Sequence, residues 1–394
     1  MSKVTNRITV NKIGFGRTIA NRLRALVATC AAGLALLSIY PLAAEAGVSW
    51  IVHGRGFGHG VGMSAYGAYG YAEHGKNYRF ILGHYYTGTS LGTVQGAYVV
   101  RVLLGIEAGD VGFSGATSAC GLRLAPSRSY EAHRDGNTVK LRSADGKRLA
   151  SCGRKLRAAG PGRVSVAGYG TYRGALETVP TESQAGSLNV VNALALEQYV
   201  KGVMPNEVPP SWPAEELKAQ AVAVRSIALT GDVGGNGFDL YSDTRSQVYK
   251  GLESEYASTN AAVAATRGQV VMYGGKVAQT LYSACSGGHT ESAVNVFGSP
   301  VPYLLGVPDP YDSACPLHEW TLKFSGPEIS AKLASYLQGR LQKVVITKTG
   351  VSPRIIEARL YGTGGVSTVT GTDLEVALGG YDTWMTFQKV VSGK

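Results

Sequence analysis

Apolar residues recur at helical spacing after Pro213, in the most regular stretch of the chain. They lie three or four positions apart, at Leu217, Ala221, Val224 and Ala228. This period predicts an amphipathic helix. Ser211 is a candidate N-cap for it, and Pro213 suits its first turn. Glu215 and Glu216 favour the positive N-terminus of the same helix.

Shorter patterns predict the remaining elements. Four further helices are expected at 66–72, 81–86, 196–204 (ending at Pro205) and 255–266. Short apolar runs between Gly, Ser and Pro predict strands, among them 99–104, 164–166 and 188–191. Two hairpins are expected, one of 269–273 with 276–282 and one of 343–347 with 354–361. Together these elements predict an α+β fold with a mixed helical cluster and antiparallel β-hairpins.

The first 46 residues have the layout of a secretory signal peptide. Six basic residues and no acid occur in 1–24, and the uncharged run 25–40 and the small-residue pattern at 44–46 follow. This arrangement is typical of an exported protein. We expect a mature chain that starts near Gly47 and is secreted to the periplasm or the cell wall. An uncleaved anchor is the alternative, although a membrane span needs about 20 residues. No later segment is apolar enough to span a bilayer.

Composition and charge narrow the class of protein. Charged residues make up 16% of the chain and 53 of 394 residues are glycine, which argues against a coiled coil or disorder. The net charge of +11 suggests a nucleic-acid binder at first. However, the leader 1–46 carries +5 and the segment 101–163 carries +7, so the rest is near neutral. Because export also argues against a nucleic-acid partner, we expect none.

Four cysteines remain in the mature chain. In an exported protein an even number favours disulfides, and the simplest pairing is Cys120 with Cys152 and Cys285 with Cys315. Four cysteines allow three pairings, so this one is a hypothesis. A zinc site at Cys285, Cys315, His289 and His318 is the alternative, but its spacing matches no common zinc motif. We therefore expect neither a metal nor a cofactor.

Glu207 is the main candidate for chemistry. It lies in a proline-rich, apolar turn between two predicted helices, where a carboxylate has a raised pKa and can act as a general acid. An exposed glutamate at a helix end is the other interpretation. Gln220 and Arg225 are polar residues among alanines on the long helix, and their partners are either a ligand or structural groups. The turn at 283–288 offers donors to a ligand, or is an ordinary tight turn.

Several segments follow one another in a distinctive order. These are 54–68 (GRGFGHGVGMSAYGA), 196–207, 212–225, 247–251, 283–291, 302–304 and 309–312. They resemble the motifs of the SpoIID/LytB family, which comprises stage II sporulation protein D-like proteins and amidase enhancers. The resemblance divides the chain into four parts. These are a signal peptide (1–46), a glycine-rich unit packing on the catalytic domain (47–97), a β-rich segment with a basic, disulfide-closed insertion (98–185) and a SpoIID-like catalytic domain (186–394).

Two features depart from the family pattern. Sporulation-type members carry the glycine–histidine motif near the C-terminus, whereas this chain has it at 54–68. The resemblance therefore implies a circular permutation that places this unit beside the strands at 343–385. Ala65 also stands where the family usually has Gln.

The resemblance implies a peptidoglycan lytic transglycosylase. Glu207 would cleave the MurNAc–GlcNAc bond as general acid and then base, giving anhydro-MurNAc ends without the second carboxylate of ordinary glycosidases. Glycan strands would be bound by further residues, namely Gln220, Arg225, Gln247, Tyr249, Tyr282, Ser283, Ser286, Gly287, His59 and Ser64.

The alternative is a non-catalytic, wall-binding amidase enhancer whose partner is an N-acetylmuramoyl-L-alanine amidase. In either case, our hypothesis is that the basic segment 101–163 binds anionic wall polymers.

Overall fold

The computed structural model describes residues 47–392. The predicted signal peptide lies outside these residues. The β-strands, in chain order, are β1 Val48–Arg55, β2 Met63–Ser64, β3 Ser90–Thr93, β4 Val99–Glu107, β5 Val111–Ser114, β6 Ser118–Ala119, β7 Leu122–Arg123, β8 Tyr130–Asp135, β9 Thr138–Ser143, β10 Arg148–Ser151, β11 Leu156–Val166, β12 Gly170–Pro180, β13 Leu188–Ala195, β14 Leu240–Tyr241, β15 Gln269–Tyr273, β16 Lys276–Val277, β17 Tyr282–Ser283, β18 Glu319–Ser325, β19 Leu341–Thr349, β20 Ile355–Gly362, β21 Gly365–Thr370 and β22 Met385–Val391.

The α-helices are α1 Ala65–Glu73, α2 Tyr78–Tyr85, α3 Leu196–Glu207, α4 Ala214–Thr230, α5 Ala257–Ala265, α6 Ala293–Phe297, α7 Gly326–Lys332 and α8 Gly371–Leu378. The predicted α+β fold is confirmed. No helix within 47–392 is long and apolar enough to cross a membrane.

The largest sheet has eleven strands. Its main path runs β10-β9-β8-β5-β11-β12-β13-β4-β14, and β6 and β7 branch from β11. The pairs along this path are antiparallel except for β14 with β4. One face of the sheet packs on α3 and α4 in the main core, through side chains such as Val102, Leu176 and Val190. Because side chains alternate along a strand, the intervening residues point to the opposite face.

The N-terminal strand β1 is the centre of a small sheet. It pairs with β18 on one side and with β22 on the other, so that Trp50 is opposite both Phe324 and Lys389. A second core lies beneath this sheet and includes Trp50, Leu360 and Leu374. The first strand of the described chain therefore lies beside the last one. The circular permutation and the segment boundaries at 97 and 185 stay predictions.

Two details at the helix ends differ from the expectation. The prediction that α3 ends at Pro205 was wrong, because α3 runs on to Glu207. The Asn206 side-chain amide donates to Gly202 O at 2.8 Å and Val208 N donates to Met204 O at 3.1 Å, so carbonyls of the last turn remain paired. The predicted cap at Ser211 was also wrong, since the N-cap of α4 is Pro213 and no side chain caps that helix.

Candidate active site

Glu207 is the last residue of α3 and is partly buried. Its Oε1 accepts a hydrogen bond from Val248 N at 2.7 Å. Burial raises the pKa of this carboxyl, while the bonds from Val248 N–H and the Tyr282 hydroxyl reduce the shift. The net result is a pKa above the ordinary value. Glu207 is therefore more easily protonated than an exposed glutamate, as a general acid requires.

A chain of side-chain hydrogen bonds leads away from Glu207. Gln247, which is 2% exposed, donates through Nε2 to the Tyr282 hydroxyl at 3.0 Å and accepts from the Tyr199 hydroxyl at 3.2 Å. A tyrosine hydroxyl carries one proton. Since Gln247 is the donor in its bond with Tyr282, that proton is left available to Glu207, whose pKa Tyr282 lowers. The predicted residues Gln247 and Tyr282 thus lie beside the catalytic candidate.

Tyr249 packs in the core behind these hydrogen-bonded side chains. Its ring stacks on Tyr199 with a centroid distance of 5.3 Å, and its hydroxyl donates to Asn192 Oδ1 at 2.7 Å. Because its side chain is almost fully buried, it supports Tyr199 from within the core. Its predicted contact with substrate finds no support in this position.

Arg225 and Gln220 are both fully buried on α4. The Arg225 guanidinium makes two 2.8 Å bonds to the Glu197 carboxylate and one of 3.0 Å to Gln269 O. It therefore braces α3 against α4. Gln220 bonds to no other side chain or backbone group within 47–392. The predicted role of both in sugar binding stays a prediction, and the burial of both side chains argues against it.

The glycine-rich segment reaches the site through a parallel pairing of β2 with β17. Met63 is opposite Tyr282, and Ser64 is opposite Ser283. Gly62 just before β2 has φ +77°, and a Cβ there would lie 2.1 Å from Leu281 O. Only glycine therefore allows this close approach of the two strands.

His59 lies shortly before β2 in the glycine-rich segment. Its Nδ1 accepts from Val61 N at 3.0 Å, and the ring also bonds to the Tyr282 backbone. Burial, followed by the charge of Arg354, lowers the pKa of His59 to about 4. The imidazole is therefore neutral near pH 7.

Ser64, Ser286 and Gly287 belong to a buried network centred on two aspartates. Ser286 Oγ donates to Asp309 Oδ2 at 2.7 Å, and Gly287 N donates to Asp312 Oδ2 at 2.6 Å. Ser64 Oγ caps α1 by accepting from Gly67 N at 3.0 Å, and it also bonds to Asp309. These three predicted ligand groups are engaged internally.

Sequence reasoning missed the role of these aspartates. Burial, and next the charge of Asp312, raises the pKa of Asp309 to about 6. Asp309 also accepts from the Tyr85 hydroxyl at 2.7 Å. The available sequence signal is the segment 309–312, which resembles a family motif and contains both aspartates.

The two predicted cysteine pairs are both present as disulfides. Cα–Cα distances are 5.1 Å for Cys120–Cys152 and 6.3 Å for Cys285–Cys315. The second disulfide lies between β17 and the aspartate network. The two cysteines of the alternative zinc site are thus bonded to each other.

An aromatic cluster near the site was also missed. Trp212 contacts Tyr66 and Tyr69 at centroid distances of 4.8 and 5.1 Å, and all three side chains are partly exposed. Tyr66 N donates to Ala284 O, and Trp212 N donates to Pro209 O. The cluster therefore adjoins the turn that follows Tyr282 and the loop that follows Glu207. The three-residue spacing of the two tyrosines was the available signal.

Comparison with known proteins identifies part of the chain. Residues 184–273, which include α3 and α4, match the family model described as SpoIID, stage II sporulation protein. This segment of the chain is similar to the SpoIID family. The resemblance inferred from the sequence motifs is thereby confirmed.

Curated relatives agree with this family. The chain is 45% identical over 168 residues to an uncharacterized protein of Brachyspira hyodysenteriae, covering 42% of this chain and 45% of that protein. It is 41% identical to the amidase enhancer of Bacillus subtilis, covering 34% and 18% respectively. It is 31% identical to stage II sporulation protein D of Bacillus amyloliquefaciens, covering 55% and 62%. The matches thus span less than two thirds of each of these relatives.

Proposed function

We propose that this SpoIID-domain protein is an exported cell-wall protein that cleaves peptidoglycan glycan strands as a lytic transglycosylase. The observation that carries the proposal is the environment of Glu207. This carboxyl accepts a hydrogen bond from Val248 N at 2.7 Å and has a raised pKa, and the shift is moderated by Tyr282, which Gln247 holds in place. The substrate would be the MurNAc–GlcNAc linkage.

A single carboxyl group is enough for this reaction. Protonated Glu207 donates its proton to the glycosidic oxygen, and the bond between that oxygen and the muramic C1 breaks. The Glu207 carboxylate then takes the proton from the muramic O6 hydroxyl while O6 bonds to C1. The product is a 1,6-anhydro end, and Glu207 regains its proton. Because no water enters, no second carboxylate is needed to activate one.

The neighbours of Glu207 suit both protonation states. In the ionised state, the Val248 N–H and the Tyr282 hydroxyl stabilise the negative charge. Burial favours the neutral state. Tyr282 and Gln247 are positioning residues in this mechanism, and Trp212 with Tyr66 would offer apolar faces to a sugar ring.

A second candidate is the non-catalytic amidase enhancer. The name of the Bacillus subtilis relative supports it, as does the internal bonding of Ser64 and Ser286, which leaves these hydroxyls no obvious role in turnover. The protein would then bind glycan and assist a partner amidase without cutting.

Mass spectrometry of digested glycan separates the two candidates. Peptide-free glycan is incubated with the mature chain, with Glu207→Gln and with Glu253→Gln, an exposed control. The catalytic proposal expects anhydro-muramic ends from the wild type and the control but not from Glu207→Gln. If the wild type yields no such ends, or Glu207→Gln yields as many, the protein does not cut through Glu207.

A further inference from the structure

Three cationic side chains converge on Glu177 in the eleven-stranded sheet. The carboxylate of Glu177 is 2% exposed, with Arg157 Nη1 at 2.6 Å, Lys155 Nζ at 3.3 Å and Arg101 Nε at 3.4 Å. Each of the three cations remains 38–49% exposed. The cluster therefore presents a local excess of two positive charges to solvent.

The three cationic side chains are already held in position to bind an anion. Long basic side chains normally lose conformational entropy when they are fixed in one position. Here a buried carboxylate already holds all three. A guanidinium has five N–H donors, so Arg101 and Arg157 keep donors for a ligand. Asp239 accepts from the Arg101 backbone N–H at 2.9 Å, so it binds the main chain of Arg101 and not the guanidinium.

The cluster lies on the sheet face opposite the candidate active site. Glu177 is opposite Val191, and Val191 is opposite Leu103 on the next strand. These two apolar residues belong to a small cluster with Phe238, separate from the core that includes α3. Glu207 ends α3, so the sheet separates it from the three cations.

A cavity lies on the same face of the sheet as the cluster. It has a volume of about 570 Å³ and is lined by Leu103, Phe238, Asn189, Thr181 and Ser183, among others. Leu103 is two strands from Glu177, which is about 10 Å. The size is suitable for a small ligand such as a sugar unit.

The charges at the cavity largely cancel. Arg245 lines it and is paired with Asp243 at 2.7 Å, and Glu182 is the remaining charged lining residue. The face is thus positive at the cluster and roughly neutral to slightly negative at the cavity. A polyphosphate would need positive charge along its length, whereas a sugar chain whose carboxylates are separated by neutral sugars matches this pattern.

We propose that this face is a second glycan site, which binds an acidic peptidoglycan strand away from the place of cleavage. The carboxylate of a muramic unit or its stem peptide would bind Arg101, Lys155 and Arg157, and a neutral neighbouring sugar would occupy the cavity. This inference rests on the proposed function for its choice of ligand. The hypothesis that segment 101–163 attracts anionic polymers by its overall charge is thereby narrowed to one defined binding site.

Calorimetry with the full mature Glu207→Gln chain tests the site without turnover. The probe is a peptide-free tetrasaccharide of alternating GlcNAc and MurNAc, compared with chitotetraose, which lacks the carboxylates, and with inorganic polyphosphate. We expect two tetrasaccharide sites per chain, of which one is weakened by salt and binds chitotetraose at least tenfold more weakly. Lys155→Gln/Arg157→Gln should lose that site.

Two controls separate the site from general charge and from misfolding. Lys343→Gln/Lys348→Gln also removes two positive charges, but from β19, and should bind the tetrasaccharide at both sites. Ser183→Trp, which fills the cavity, should weaken the second site at least fivefold, whereas Ser183→Ala should not.

The proposal is overturned by any of three results. These are two intact sites in Lys155→Gln/Arg157→Gln, equal binding of chitotetraose at the second site, and tighter binding of polyphosphate than of the tetrasaccharide there. A wild type that makes no anhydro ends but binds the tetrasaccharide at both sites would contradict only the proposed function.

Discussion

The Gln247 side-chain amide donates to the Tyr282 hydroxyl at 3.0 Å, which leaves the tyrosine proton available to the Glu207 carboxyl. Tyr282 thereby lowers the pKa of Glu207 against the larger effect of burial. The balance between these two effects sets the pH at which Glu207 loses its proton.

Tyr282→Phe should therefore move the alkaline limb of the pH–rate profile upward. Without the hydroxyl, the ionised form of Glu207 is less stable, so its pKa rises and the acid stays protonated to higher pH. The developing carboxylate also loses a hydrogen bond, so kcat should fall about 10- to 100-fold, because a bond to a charged group contributes about 1.5–3 kcal/mol. Glycan cleavage measured across pH 4–9 gives both quantities.

Tyr249→Phe is the matched control for this prediction. It removes a buried hydroxyl that bonds to Asn192 rather than to Glu207. We expect a loss of stability without movement of the alkaline limb. An unmoved limb in Tyr282→Phe would mean that Tyr282 does not act on the Glu207 carboxyl.

Glu216 leads to a prediction about stability. This residue is fully buried on α4, neither carboxylate oxygen bonds to a group within 47–392, and burial raises its pKa well above the ordinary value. A carboxyl with a raised pKa in the folded state costs stability as pH rises above its unfolded pKa. Glu216→Gln should therefore stabilise the protein by about 1–3 kcal/mol near pH 7, with a smaller gain at pH 4.

The adjacent Glu215 is the control of opposite sign. It accepts from Tyr78 N at 2.9 Å and from Lys218 Nζ at 2.6 Å, and its pKa is lowered. Glu215→Gln should lower stability near pH 7, and this loss should fade as pH falls through the Glu215 pKa. Urea unfolding of both variants at pH 4, 5.5 and 7 measures the two trends. A destabilised Glu216→Gln at pH 7 would show that Glu216 has a stabilising partner.

The sequence predicted the local features well and the long-range ones poorly. Helical period and the proline-rich turn were enough to locate α4 and Glu207. The same period placed Arg225 on α4 but did not identify Glu197, which is 28 residues earlier on another helix. Likewise, Asp309 meets Ser286 only because a 23-residue segment folds back. A helix pattern identifies a face, whereas the group packed on that face depends on tertiary structure.

Trp212 should contribute to glycan affinity more than to chemistry. It contacts Tyr66 and Tyr69 and stays partly exposed beside the segment that follows Glu207. Loss of one aromatic contact with a sugar costs about 1 kcal/mol, so Trp212→Ala should raise KM about fivefold with kcat nearly unchanged. Trp212→Phe should recover much of the affinity. Trp384 lies outside this cluster, with its ring against Arg55 and Arg354, and Trp384→Phe should leave KM unaltered. A fall in kcat at constant KM would instead assign Trp212 to the positioning of Glu207.

The two disulfides should differ in their effect on activity although they close loops of similar length. The sequence separations are 32 residues for Cys120–Cys152 and 30 for Cys285–Cys315, so removal of either should cost about 2–4 kcal/mol of unfolding free energy. Only Cys285 is near the site, since its neighbour Ser286 bonds to Asp309 and Tyr282 lies three residues before it. Cys285→Ala/Cys315→Ala should therefore lower kcat at a temperature where the protein is still folded, whereas Cys120→Ala/Cys152→Ala should lower only the urea midpoint. Equal kcat in the two double variants would show that the turn after Tyr282 keeps its position without the disulfide, through the bonds of Ser286 and Gly287 to the two aspartates.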